Sequence, residues 1–236
     1  MSAIKYGVII VKEIIIKHLF NIKQVFNFAA FMTKKEQILE TALGLFGRNG
    51  YEATSIRDLS AEAGINVAMI NYYFGSKEKL FEQVIEYKAA YLRNIFMELE
   101  KDTVLDPMKK IEAIVDYFVD RVFSSPSFYH LIHRELTLSQ RADLQERIVD
   151  ILLKNAFIIR DIINDGIKKN VFATVDAELT VTTLIGSVSQ LMLSENMSRK
   201  MFKKNKDFKP YTDKNFNKRV KDHLKSLMAS FLVKKK

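Results

Sequence analysis

Residues 54–81 read TSIRDLSAEAGINVAMINYYFGSKEKLF, and their punctuation decides the fold. Ser55 and Asp58 are spaced as a capping box, in which hydroxyl and carboxylate each satisfy an orphan backbone donor at a helix start. Ile56, Leu59 and Ala63 then share one face. Gly64 supplies the backbone freedom a tight turn needs, Asn66 can cap the next helix, and Ile70 and Phe74 anchor it inward. Gly75-Ser76 stops that helix and caps a third. Two short helices, a tight turn and a following helix start form a helix-turn-helix, the unit that presents its second helix to DNA. Tyr72, Tyr73 and Phe74 cannot all face one core, because three successive helical positions point in different directions, so at least one aromatic is expected at the surface. The blander alternative makes all three simple core residues.

The stretch Ala63 to Phe81, with its Tyr72-Tyr73-Phe74 run, small polar turn, Lys77 and Leu80-Phe81, resembles the TetR/AcrR-type transcriptional regulators. The resemblance covers about Thr33 to Phe81. It implies an all-α protein: a three-helix DNA-binding domain over residues 32–80, then a helical ligand-binding and dimerisation domain over 81–236. It also implies a dimer whose two recognition helices, here Asn66 through Tyr73, enter the major groove of a palindromic double-stranded DNA operator. On this resemblance Val67, Ala68, Met69 and Asn71 are placed toward base edges. The first three can offer only apolar contact, for example to thymine methyls, whereas Asn71 can pair with adenine or touch phosphate. Relatives often carry a polar or cationic residue near Val67 and an aromatic at Asn71, and this chain departs there. Tyr72, Tyr73, Lys77 and Ser55 or Arg57 are the expected phosphate clamps. Lys77 lies in the first turn of its helix, where the dipole disfavours a cation, so its charge is expected to serve a phosphate.

The rest of the chain agrees with a helical reading. Apolar residues recur at helical spacing, and only 3 Pro and 8 Gly occur in 236 residues. With 0 Cys there is neither a disulfide framework nor a thiolate metal site, and a cytoplasmic protein is the expectation. The net charge of +9 is uneven: Lys and Arg against Asp and Glu number 4 and 1 in residues 1–31, 6 and 6 in 32–80, 13 and 18 in 81–196, and 14 and 3 in 197–236. The expected DNA-reading domain is therefore neutral, and affinity must come from a few placed cations. The first 31 residues are apolar but broken by Lys5, Lys12, Glu13, Lys17 and Lys23, too short in any uncharged run for a membrane span. Met32 precedes a second capping-box pattern, Thr33 with Glu36. Translation is expected to start at Met32, the alternatives being an extra helix or an arm toward DNA.

Further helices are expected over Thr33 to Arg48, from Lys77 to about Leu99, from Asp106-Pro107 up to Ser124-Ser125-Pro126, and over Ser127–Leu138, Asp143–Lys168, Asp176–Met197 and Asp213–Leu232. A basic linker, SRKMFKKNKDFKPYT, separates the last two. Family resemblance makes that last pair the dimer interface, with Leu224 and Leu227 as its apolar contacts and Gly186, Ser187 and Ser189 allowing close approach. It also implies an apolar cavity for a small-molecule effector within residues 107–197. By residue type Tyr117, Phe118, Tyr129, His133, Phe157, Arg160 and Gln190 are the candidate contacts.

Two other classes remain to be weighed. His130 and His133, three apart with Arg134 and Glu135 adjacent, can suggest a metal pair or a general base. No further ligands, phosphate-cradling glycine loop or nucleophile motif accompanies them, so no enzyme activity, catalytic residue, cofactor or metal is expected. The basic tail can also suggest a structural DNA binder of low sequence preference. A slightly acidic, apolar C-terminal portion suits sensing and dimerisation better than coating.

Overall fold

The computed structural model describes residues 32–138 and 141–234, and every regular element among them is a helix. In order they are α1 Lys34–Asn49, α2 Ile56–Ala63, α3 Val67–Phe74, α4 Lys77–Lys101, α5 Pro107–Ser124, α6 Pro126–Leu138, α7 Ala142–Lys168, α8 Ala177–Met192, α9 Glu195–Met201 and α10 Lys214–Leu232. The expectations for residues 1–31 lie outside the described residues.

Most starts are written locally in the sequence. Thr33 and Glu36 close a full capping box on α1, as do Ser55 and Asp58 on α2, while Asn66, Ser76, Asp106, Asp176 and Asp213 cap α3, α4, α5, α8 and α10. Each such cap contributes about 1 kcal/mol. Pro107 occupies the first turn of α5, where a missing backbone donor costs nothing.

Two apolar clusters organise the helices. The first gathers Leu39, Phe46, Leu59, Ile70 and Phe74 from α1 to α3 around Phe81 and Ile85 of α4, then takes in Phe128 and Leu131 of α6 and Leu144 and Ile148 of α7. The second joins α4, α5, α7, α8 and α10 around Phe96, Ile114, Phe123, Ile163, Leu184 and Leu224. The 25-residue α4, about 37 Å long at 1.5 Å per residue, contributes to both. It is fastened along α7 by polar bonds: Arg93 Nε donates to Asn155 Oδ1 at 3.2 Å, Asn155 Nδ2 to the Ala89 carbonyl at 3.1 Å, and Arg147 Nε to Glu82 at 2.5 Å.

Three expectations need correction. The helix expected over Asp176–Met197 ends at Met192, and Ser194 caps a new one by accepting from the Met197 amide at 3.3 Å. The break is stable because other segments take up the freed carbonyls: His130 Nε2 lies 2.6 Å from that of Met192, and Ser198 Oγ donates to that of Leu191 at 3.3 Å. Nor is 198–212 only a solvated linker. Phe208 and Tyr211 are buried, and the Phe216 ring is flanked by Phe202, Phe208 and Phe123 at 4.9, 5.2 and 6.2 Å. Leu224, expected between subunits, is 2% exposed and belongs to the second cluster of its own chain.

The turn from α7 to α8 depends on Gly166. A Cβ there would lie 2.2 Å from the Phe172 ring, which folds back over the helix while the Phe172 amide donates to the Gly166 carbonyl at 3.0 Å.

Candidate nucleic-acid interface and effector cavity

The turn between α2 and α3 is held by its own backbone. Gly64 adopts φ 63°, ψ 34°, a left-handed conformation that favours glycine. The Ile65 amide donates to the Ser60 carbonyl at 3.1 Å and Ser60 Oγ to the Ile65 carbonyl at 2.5 Å. Asn66 Oδ1 accepts from the Met69 amide at 2.8 Å. Buried Ile70 and Phe74 then fix the rotation of α3, so its opposite side faces outward: Val67, Ala68, Asn71 and Tyr72 are exposed, while Met69 and Tyr73 are half-buried. Tyr72 stands 84% exposed, and its ring meets that of Tyr73 edge-on at 5.4 Å. Apart from that contact, an aromatic so exposed has most of its surface open to a partner.

Around this face the placed cations differ from those first expected. Lys77 is half-buried. Its Nζ sits 4.2 Å from the centre of the Tyr51 ring and donates to the Glu52 carbonyl at 3.3 Å, and burial pulls its pKa below the ordinary lysine value. The charge at Lys77 thus has a structural use, which corrects the premise that only a phosphate explains it. Arg141, from the α6–α7 connection, lies over the same Tyr51 ring at 3.8 Å and pairs with Glu52 and Glu135 at 3.0 and 3.1 Å. Exposed Arg57, Lys35 and Lys79 stay in water. Lys35 Nζ reaches 5.7 Å from the centre of the Phe74 ring, and the Lys79 chain runs beside Gly75. Neither Lys35 nor Lys79 was among the clamps expected from sequence, although Lys79 lies within the motif stretch.

Ser55 is exposed, and its hydroxyl is committed to the Asp58 box: it donates to Asp58 Oδ2 at 2.7 Å and accepts from the Asp58 amide at 3.1 Å. Donation to the carboxylate from the Ser55 hydroxyl, and from the Ser55 amide at 2.8 Å, holds the Asp58 carboxyl below the usual carboxylate range. Two further polar groups fix the domain without any sequence flag. Thr54 Oγ1 donates to the Gly50 carbonyl at 2.7 Å, and Arg134 of α6 reaches the Phe46 carbonyl at the end of α1 at 3.0 Å.

The second region is a cavity of about 220 Å³ framed by α4, α5, α6, α7 and α8. Leu92, Phe96, Val122, Ile159 and Val188 supply much of its apolar wall. Of the residues expected there, Phe118, Tyr129 and His133 line it. Tyr117, Phe157, Arg160 and Gln190 do not: Phe157 lies under the Arg160 guanidinium at 4.5 Å on the outer side of α7, and Gln190 is exposed on α8. Sequence reading missed Asn155 and Ser189 on the wall, because a polar residue within a helical stripe carries no local sign of which neighbour it meets. Among the described residues no Asp, Glu, Lys or Arg lines the cavity.

The two histidines part company. His130 serves the α8 terminus, whereas His133 is exposed at the cavity rim. Among the described residues no three His, Asp or Glu side chains converge as metal ligands, and no helix is long and apolar enough to cross a membrane. Four of the 14 tail cations are paired internally: Lys218 with Asp222, Lys221 with Asp120, Lys225 with Asp116 and Arg199 with Glu195.

Comparison with known proteins accords with this geometry. Residues 38–84 match the model for bacterial regulatory proteins of the tetR family. Over these residues the chain is similar to the DNA-binding part of tetR-family regulators. The HTH-type transcriptional repressor NicS of Pseudomonas putida is 30% identical over 139 residues, spanning 58% of this chain and 65%, just under two thirds, of that repressor. FadR of Bacillus subtilis, solved in complex with stearoyl-CoA, has a similar fold at 17% identity and a TM-score of 0.67, over 83% of this chain and 97% of that one. The TetR-family regulator PfmR of Thermus thermophilus gives a TM-score of 0.62 at 19% identity, over 84% and 99% of the two chains. At such identities the two likenesses bear on the fold alone.

Proposed function

We propose that this chain is a ligand-responsive repressor of the tetR family that binds a palindromic operator as a dimer and is released when a small molecule fills the cavity. The observation that carries the proposal is the division of α3: Ile70 and Phe74 are buried while Val67, Ala68, Asn71 and Tyr72 face outward, as a helix bound for the major groove requires. Asn71 then reads a base edge, Val67, Ala68 and Met69 offer apolar contact, and Tyr72, Tyr73, Arg57, Lys35 and Lys79 position the phosphates. Ser55 and Asn66 set the entry of α2 and α3, and Lys77 braces the domain from behind.

The outward sides of α8 and α10 suit the dimer contact. On α8, Leu179 is 64% exposed, Thr182 and Thr183 turn their hydroxyls back to the Glu178 and Leu179 carbonyls at 2.8 Å each, and a Cβ added at Gly186 would meet nothing. Methyl groups and open space are thus left for a second helix. On α10, exposed Phe231 and half-buried Leu227 continue this side. A two-fold protein matches a two-fold operator.

A route from cavity to DNA domain runs through α6. Tyr129, Ile132 and His133 face the cavity, and one residue later Arg134 holds the Phe46 carbonyl of α1. A ligand that shifts α6 therefore disturbs the seat of the helix-turn-helix. The apolar cavity among α4 to α8 has no use in a low-specificity DNA coat. Binding to a palindromic operator and to random DNA across a salt series is the test. A regulator prefers the operator by a factor on the order of 10³ or more at fixed salt, whereas equal affinity for both, with a steep salt slope, sinks the proposal.

A further inference from the structure

The effector cavity carries one polar group that nothing in the chain explains. Tyr129 stands on α6 where the two apolar clusters meet and packs against both. Its ring contacts Phe128 edge-on at 5.1 Å, and it contributes to the cavity wall. Among the described residues its hydroxyl makes no hydrogen bond, although burial pushes its pKa well above the ordinary tyrosine range, a rise that the Arg121 charge only partly offsets. A phenol so placed stays protonated, and its unbonded hydroxyl is not sealed in the core, since among the described residues no buried side-chain polar atom lacks a partner. The space beside it is the cavity.

The other polar groups of the wall differ in kind. Asn155 is engaged at both ends of its amide, accepting from Arg93 and donating to the Ala89 carbonyl. His133 and Ser189 are exposed at the rim, where water serves them. Along α8 the wall runs from Ile185 to Met192, about 10 Å at 1.5 Å per residue, which sets the length of the occupant. With no Lys or Arg among the described residues of the wall, an anionic group drawn inside loses its hydration without such a partner.

We propose that Tyr129 makes this cavity selective for uncharged, largely apolar molecules that carry one hydrogen-bond acceptor, a ketone or ester carbonyl being the simplest, with the phenol donating to it. The inference rests on the cavity being the effector site. Deleting a neutral hydrogen bond while leaving the apolar contacts intact costs about a factor of ten in affinity.

The test uses the full chain with three probes of matched length: methyl hexyl ketone, its methylidene isostere with =CH₂ in place of the carbonyl oxygen, and octanoate. Apparent dissociation constants come from the probe dependence of thermal unfolding. Wild type is expected to bind the ketone about ten times more tightly than the isostere, and more tightly than octanoate. Tyr129→Phe is expected to erase the ketone's advantage and leave the isostere unchanged, while His133→Gln preserves it. Equal binding of ketone and isostere by wild type overturns the proposal without any variant, as does loss of the advantage on His133→Gln but not on Tyr129→Phe. In both cases probes still bind, so the effector cavity stands. Should no probe bind at any soluble concentration, the cavity reading falls and the proposal with it.

Discussion

The helix-turn-helix and the C-terminal helices are held by different kinds of information. In residues 33–81 every helix start has its own cap within three residues, and the turn is closed by Gly64 and Ser60. In the C-terminal part, caps exist as well, but the decisive contacts are distant in sequence: His130 to Met192, Phe123 to Tyr211 and Phe216, Lys225 to Asp116, the Ala173 amide to the Leu232 carbonyl. A locally encoded unit can present the same surface in many relatives, while a region built from long-range contacts is free to reshape its cavity. The family match covering only residues 38–84 fits that division.

The largest effect that can break this comparison is expected at Leu224. Leu224→Glu places an unpaired charge in the second cluster and should cost about 3–5 kcal/mol, measured by denaturant unfolding. Leu227→Glu, from a half-buried position on the same helix, should leave the fold and instead weaken the dimer in sedimentation. If the two variants behave alike, the distinction between core and interface on α10 is wrong.

Next comes Gly166→Ala. Its methyl would collide with the Phe172 ring, and overpacking of this sort costs about 1–3 kcal/mol. Operator contacts made by α3 should survive, so a loss of stability with normal DNA binding below the melting transition is the expected pattern.

On the DNA side, Asn71→Ala should weaken operator binding by about 1–3 kcal/mol and relax preference at one base pair of each half-site. Equal loss on every DNA sequence would reassign Asn71 to the phosphate backbone. The cations sharpen the picture further. Lys35→Ala or Lys79→Ala should each lower the salt slope by about one counterion per subunit with little change in stability. Lys77→Ala should do the reverse, loosening the Tyr51 stack while leaving the slope nearly as it was. A slope that falls only for Lys77→Ala would restore it as a phosphate clamp.

The smallest effect is acid sensitivity of the Ser55–Asp58 box. Asp58 has a pKa lowered by its bonds to Ser55, so its stabilisation is present above the unfolded carboxylate pKa and is lost as pH falls through the lower folded value. Asp58→Asn should flatten that part of the stability–pH curve at low pH, and an unchanged curve would remove the box from the account.

The sequence by itself determined the all-α class, the helix starts, and the rotation of α3, because capping spacings, Gly64 and the Ile70–Phe74 pair act over three or four residues. It also marked Phe118, Tyr129 and His133 by residue type, but could not separate them from Tyr117, Phe157, Arg160 and Gln190. Only the tertiary structure decided which of these faces the cavity, since each sits on a helix whose neighbours lie tens of residues away. The same holds for Lys77, whose charge looked surplus until Tyr51 and Glu52 were seen beside it, and for the broken end of α8. Its freed carbonyls are met by His130 and Tyr211, 62 and 20 residues distant at most. A cap can be read from its own turn, but whether a helix may stop early depends on who is waiting to bond its last carbonyls.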